Sequence, residues 1–142
     1  MLEPNTPARE QSGLLDIFRL ALAVHLVAES RVLASLVSIV RPPTALRLQI
    51  AALRTEHIAQ QVAAECLATH TPASDEWYTG VLELRVLVLD HAKREDYLRA
   101  ALEDHVPATI SRGLVAQYAT ERMRMLATTS PLAVASQVRL YA

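Results

Sequence analysis

The chain has 142 residues, of which 51% are hydrophobic, with a formal net charge of -1 and an isoelectric point near 6.5. This length fits one domain with a single core, and the near-neutral charge argues against nucleic-acid binding, which needs a basic surface. The single cysteine, Cys66, cannot form an internal disulfide, so we expect a reducing, cytoplasmic location.

The first predicted helix covers residues 12–40. The polar residues 1–11, with two prolines, are expected to be a flexible segment rather than a signal peptide. The helix should end before Pro42 and Pro43, because consecutive prolines cannot continue a helix. Its sequence is hydrophobic, but charged residues interrupt it, so we expect a core helix of a soluble protein and no membrane partner.

Three more helices follow, separated by turns that contain proline. The second is predicted over residues 44–69 with Thr44 as its cap, and the third over residues 76–104 after the capping candidates Ser74 and Asp75. A shorter fourth helix should span residues 109–127. The predicted fold is therefore an all-α antiparallel bundle of three long helices and a short one, occupying residues 12–127, with a tail at 128–142.

Two helices carry a histidine and a glutamate four residues apart on their predicted core faces. AVHLVAESRVL contains His25 and Glu29, and VLDHAKREDYL contains His91 and Glu95. Residues four apart share one helix face, so both side chains of a pair can reach one point. His57 lies near the middle of the second helix, on its apolar stripe. If the helices pack side by side, all five groups can meet at one level of the bundle.

Buried carboxylates normally become neutral, form ion pairs or bind a metal. One His–Glu pair alone is a weak signal, because such pairs are common on helix surfaces. Two pairs and a third histidine, all at core positions, favour a metal site. Imidazole and carboxylate without thiolate suit iron, manganese or zinc, and carboxylates from two helices can bridge two iron ions in a bundle.

These segments resemble the hemerythrin-like (HHE cation-binding) domains. AVHLVAESRVL is similar to the second-helix element of that family, LRTEHIAQQVA to its third, and VLDHAKREDYLRAALEDHV to its fourth. LVAQYATERMRML resembles the short terminal helix, so the resemblance covers most of residues 12–127. It implies non-haem iron bound by five ligands, which are His25, Glu29, His57, His91 and Glu95.

The resemblance also implies a function. A di-iron centre is favoured, with mononuclear iron, manganese or zinc left open, and with O₂, NO or peroxide as small ligands. Carriage, sensing and an oxidase or oxygenase activity are all compatible with it. The family's first helix and its histidine have no counterpart in the segments matched here, so a mononuclear site, a dinuclear site with open positions and a ligand from a second chain are all compatible with the resemblance. The bundle face left uncovered predicts a homodimer or coverage by the fourth helix. The alternative is a metal-free bundle that serves as an interaction or oligomerisation module.

Several other residues have simpler expected roles. Glu56 and Arg94 are next to predicted ligands, so we expect them to point away and form salt bridges, with orientation of a ligand histidine as the alternative. Tyr97 and Tyr118 are expected to pack, with a redox-relay role as the alternative. Cys66 is expected to be a small buried apolar residue.

Overall fold

The computed structural model describes residues 7–128, which form four α-helices. These are α1 (Ala8–Val40), α2 (Thr44–Leu67), α3 (Asp75–Glu103) and α4 (Ala108–Thr128). Within the described residues there is no β-strand, so the predicted all-α class is confirmed. The largest difference from the predicted bounds is at the first helix.

Helix α1 begins at Ala8 rather than at residue 12, and Gln11 is buried. Residues 8–11, predicted as flexible, therefore belong to the helix. Pro7 precedes the first turn, where a missing backbone N–H costs nothing. At the other end Arg41 adopts a left-handed conformation with φ 50°, and the two prolines follow. Residues 1–6 and 129–142, which include most of the predicted tail, lie outside the described part of the chain.

The predicted caps have different outcomes. Ser74 caps α3, because its hydroxyl accepts a hydrogen bond of 3.1 Å from the Trp77 backbone N–H. The prediction for α2 is wrong, since Pro43 holds the capping position and Thr44 is the first helical residue. The Thr44 hydroxyl instead accepts a hydrogen bond of 3.0 Å from the Arg47 guanidinium.

The bundle is antiparallel: α2 packs against α3, and α1 packs against both α2 and α4. Near the turn between α2 and α3, Leu67 lies beside Gly80, and farther from that turn Glu56 forms an ion pair with Arg94. A Cβ atom on Gly80 would stand 3.0 Å from Cδ1 of Leu67. Glycine at this position thus lets the two helices approach closely.

A buried polar layer divides the apolar core into two clusters. The cluster towards the start of α1 includes Leu22, Leu26, Trp77, Leu84 and Met125. The cluster towards the end of α1 includes Leu33, Leu36, Leu53, Leu98 and Leu102. The buried polar residues between them include Glu29, Ser30, His57 and His91. Buried ionisable groups are costly unless they are paired, so this layer needs a physical explanation.

By length and composition alone, α1 could cross a membrane. However, 56% of its most apolar 18-residue window is buried inside the bundle. The core helix of a soluble protein has the same properties, so this helix is weak evidence for a membrane span.

Two expectations of burial are wrong. Cys66 is exposed, and Tyr97 is 76% exposed. The inward stripe of α2 passes through Ala64 and Leu67, which places Cys66 on the outer side of the helix. Tyr97 likewise precedes the inward-facing Leu98 on α3.

Candidate metal centre

The buried polar layer brings the five predicted residues together from three helices. Helix α1 supplies His25 and Glu29, α2 supplies His57, and α3 supplies His91 and Glu95. Four of them, all except His57, each place one possible ligand atom within 4.8 Å of the others. The predicted convergence at one level of the bundle is therefore observed.

The Glu29 carboxylate lies at the middle of this group. Its Oε2 atom is 2.9 Å from Nε2 of His57, 3.3 Å from Nε2 of His25 and 3.5 Å from Nε2 of His91. The Nε2 atoms of His57 and His91 are 3.2 Å apart. Oε2 of Glu95 is 4.0 Å from Nε2 of His91. Three imidazole nitrogens thus lie within 3.5 Å of the Glu29 Oε2 atom.

Each histidine has a hydrogen-bond partner on its other ring nitrogen, Nδ1. The partners are Tyr118 for His25 at 2.7 Å, Ser30 for His57 at 3.2 Å and Glu56 for His91 at 3.0 Å. All three partners have an oxygen that can accept a hydrogen bond from an Nδ1–H group. An imidazole that donates from Nδ1 keeps a lone pair on Nε2, which is the form that binds metal. The cluster therefore fits a metal ion.

Glu56 has both of the roles considered for it. It forms an ion pair with Arg94, as expected, but it also contacts His91 rather than pointing away from the ligands. The reason is that Glu56 faces α3 across the α2–α3 interface. Its carboxylate therefore reaches His91 on α3 rather than His57, its neighbour in the sequence.

Helix α4 covers the His25 side of the cluster. The Tyr118 hydroxyl reaches His25, Glu121 forms an ion pair with Arg31, and the Gln117 amide donates to the Ser35 hydroxyl at 3.0 Å. Coverage by the fourth helix, one of the two predicted ways to close the bundle, is thus seen. Packing was the expected role of Tyr118, and its hydrogen bond to His25 was not foreseen.

The comparisons with known proteins add no family to this geometry. No family model, curated protein or solved structure matches the chain. The choice of metal therefore depends on the ligands themselves. Three imidazoles and two carboxylates suit iron, manganese or zinc, and the one cysteine, Cys66, lies on the outer side of α2.

Hydrogen bonds control the charge state at the centre of the cluster. Without a metal, burial alone would raise the pKa of Glu29, but hydrogen bonds from the Nε2–H groups of His57 and His91, which a bound metal would replace, outweigh it and hold this pKa far below its usual range. Burial would lower the pKa of His91, but its hydrogen bonds to Glu29 and Glu56 raise it overall. For His25, burial dominates over the attraction of Glu29 and lowers the pKa.

Glu95 differs from Glu29 in its charge state. Burial and the negative charge of Glu29 raise the pKa of Glu95 to about 7. Two carboxylates this close cannot both ionise cheaply unless a cation stands between them. A divalent ion would remove this repulsion, so the electrostatics and the geometry both favour a cation site.

Proposed function

We propose that this chain is a hemerythrin-like protein that binds non-haem iron. Its ligands are His25, Glu29, His57, His91 and Glu95. The observation that carries the proposal is that all three histidines hydrogen-bond through Nδ1 while their Nε2 atoms face one carboxylate. Metal-binding histidines in proteins are held in this way.

The separations of the ligand atoms support at least one ion. Neighbouring ligands of an octahedral ion stand about 3 Å apart when each lies about 2.1 Å from the metal. The 2.9 Å from His57 to Glu29 and the 3.2 Å from His57 to His91 are close to that value. We propose two iron ions, because carboxylates from two helices together with three histidines would suit a di-iron centre in a bundle interior. A single iron, manganese or zinc ion is the alternative occupant.

Iron in this position would supply electrons and an open coordination position for O₂, NO or peroxide. The side chains of His25 and Glu95 are 30% and 32% exposed, whereas those of His57 and His91 are almost fully buried. Because α4 covers His25, small ligands would reach the centre beside Glu95. A centre that is accessible on this side favours reactivity, as in an oxidase or oxygenase, over simple carriage.

The chain's own residues orient the ligands and exclude water. Ser30 and Glu56 fix the rings of His57 and His91, and Tyr118 holds His25 from α4. The apolar clusters on both sides of the polar layer keep water away, which strengthens the electrostatic interactions inside.

Iron retention tests the proposal. Purified protein is loaded anaerobically with Fe(II), desalted, and its iron counted per chain. We expect one to two ions in the wild type, loss of iron when His57 and His91 are both changed to Ala, and full retention in the exposed control His105→Ala. A wild type that retains no iron, or a double variant that retains as much as the wild type, refutes the proposal. Oxo-bridged ferric bands after exposure to O₂ identify two ions rather than one.

A second candidate function is that of a helical interaction module. Many apolar side chains are strongly exposed, among them Ile17 at 67%, Leu82 at 59% and Val86 at 57%. Exposed apolar surface favours association, and a homodimer is the simplest form. Light scattering of the metal-free protein tests this: an Ile17→Glu variant should be monomeric if these residues form the interface, and a monomeric wild type contradicts it.

A further inference from the structure

A cavity of about 600 Å³ adjoins the cluster of ligands. Its inner end is formed by Glu29 and Glu95, and it extends towards the turn between α3 and α4. Every helix contributes a leucine to its wall, namely Leu36, Leu53, Leu102 and Leu114. It is thus a space between the helices, with exposed residues at its outer end, that extends to the proposed centre.

The cavity is far larger than a diatomic ligand requires. One water molecule takes about 30 Å³ in the liquid, and pockets that bind small organic molecules measure about 300–1,000 Å³. Along α3 the wall runs from Glu95 to Leu102, which is a length of about 10 Å. Such a space accommodates an organic molecule beside the metal ligands.

The chemistry of the walls defines the class of molecule. Most of the wall between the two ends is aliphatic, chiefly leucine, which favours aliphatic carbon over water. Glu29 and Glu95 lie at the inner end, Arg99 lies one turn farther along α3, and Glu103 and Ser111 lie towards the turn. The occupant therefore has a mainly aliphatic body, with room for a small polar group.

We propose that this cavity binds an aliphatic organic substrate of the metal centre. The proposal rests on the iron-binding function proposed above, and it distinguishes a centre that acts on an organic molecule from one that only binds a gas. A second apolar cavity of about 530 Å³ lies at the other end of the bundle and contacts none of the five ligands. Leu84 lines that second cavity, which provides a matched control.

Calorimetry with 1-hexanol, 1-octanol and 1-decanol tests binding in the metal-free and zinc-loaded protein. Affinity should rise by about fourfold for each added methylene until the cavity is full. Leu102→Trp fills the cavity and should weaken octanol binding at least tenfold, whereas Leu84→Trp, the same change on the same helix, should not. Circular dichroism and metal content check that each variant folds. If Leu102→Trp does not fold, Leu114→Trp narrows the same cavity from α4.

Paramagnetic broadening shows whether the alcohol lies beside the metal. Octanol proton signals should broaden with manganese-loaded protein relative to zinc-loaded protein, for the wild type and Leu84→Trp but not for Leu102→Trp. Retained metal without octanol binding, or loss of binding only in Leu84→Trp, overturns the cavity proposal and leaves the iron proposal intact. Octanol binding by a protein that retains no metal refutes the iron centre, and the substrate role with it.

Discussion

Changing Glu95 to Gln should stabilise the metal-free protein at pH 8 while weakening its affinity for iron. Burial and the charge of Glu29 raise the pKa of Glu95 from an ordinary value of 4.5 to about 7. At about 1.4 kcal/mol for each pKa unit, the ionised carboxylate destabilises the fold by about 3 kcal/mol. Because the Glu95 side chain is 32% exposed, solvent screening reduces this to about 1–2 kcal/mol.

The sign of the effect depends on pH. The folded protein holds a proton on Glu95 that the unfolded chain releases, so this group's contribution to stability falls as pH rises from 4.5 to 7 and is constant above that. Glutamine has no charge at any pH. The stability advantage of Glu95→Gln should therefore be small at pH 5 and reach its full size at pH 8.

Urea denaturation of chelator-treated protein, followed by circular dichroism at both pH values, measures the difference. Glu83→Gln, the same change at an exposed position on α3, is the control and should show no comparable dependence on pH. With iron bound, the wild type should be more stable than Glu95→Gln, because the wild type has one more ligand for the metal. Equal stability at pH 8, or a less stable Glu95→Gln protein at that pH, would refute the reasoning.

Three further changes test other parts of the molecule. Glu56→Gln should lower iron affinity by about 10–100-fold in competition with a chromophoric chelator, because it loses the carboxylate that orients His91. The control Asp90→Asn, whose partly exposed carboxylate pairs with Lys93, should not. Ala73→Gly should raise the free energy of unfolding, measured by urea denaturation, by about 1 kcal/mol, because the left-handed φ of 68° at this position strains alanine but not glycine. Ala100→Gly, inside α3, should lower the same quantity by about 1 kcal/mol. Leu26→Ala should cost about 2–5 kcal/mol, since Leu26 is 1% exposed, and a loss below 1 kcal/mol would contradict its place in the core.

The helices and the meeting of the five residues were predictable because both depend on local spacing. Proline positions set the turns, and the four-residue spacing from His25 to Glu29 places both side chains on one helix face. Because His25, His57 and His91 each lie near the middle of a helix, antiparallel packing brings them to one level. The resemblance to hemerythrin-like domains and the binding of iron stay predictions, and iron-loading experiments test the second of them.

The hydrogen-bond partners of the histidines could not be read from the sequence in the same way. Tyr118 is 93 residues away from His25, and their contact depends on how far α4 slides and rotates against α1. Glu56 looked like a surface residue because it adjoins a ligand on its own helix. Its contact with His91 depends on the offset between α2 and α3, which hydrophobic periodicity does not specify.

The polar layer across the core also affects how long each molecule survives. Without a cation, Glu29 and Glu95 repel each other in the middle of the bundle, so the metal-free form has a smaller free energy of unfolding. Proteases degrade the fraction of molecules that are transiently open, and this fraction grows as stability falls. Where the bound metal is scarce, proteases would then degrade this protein faster, and its abundance would follow the supply of the metal.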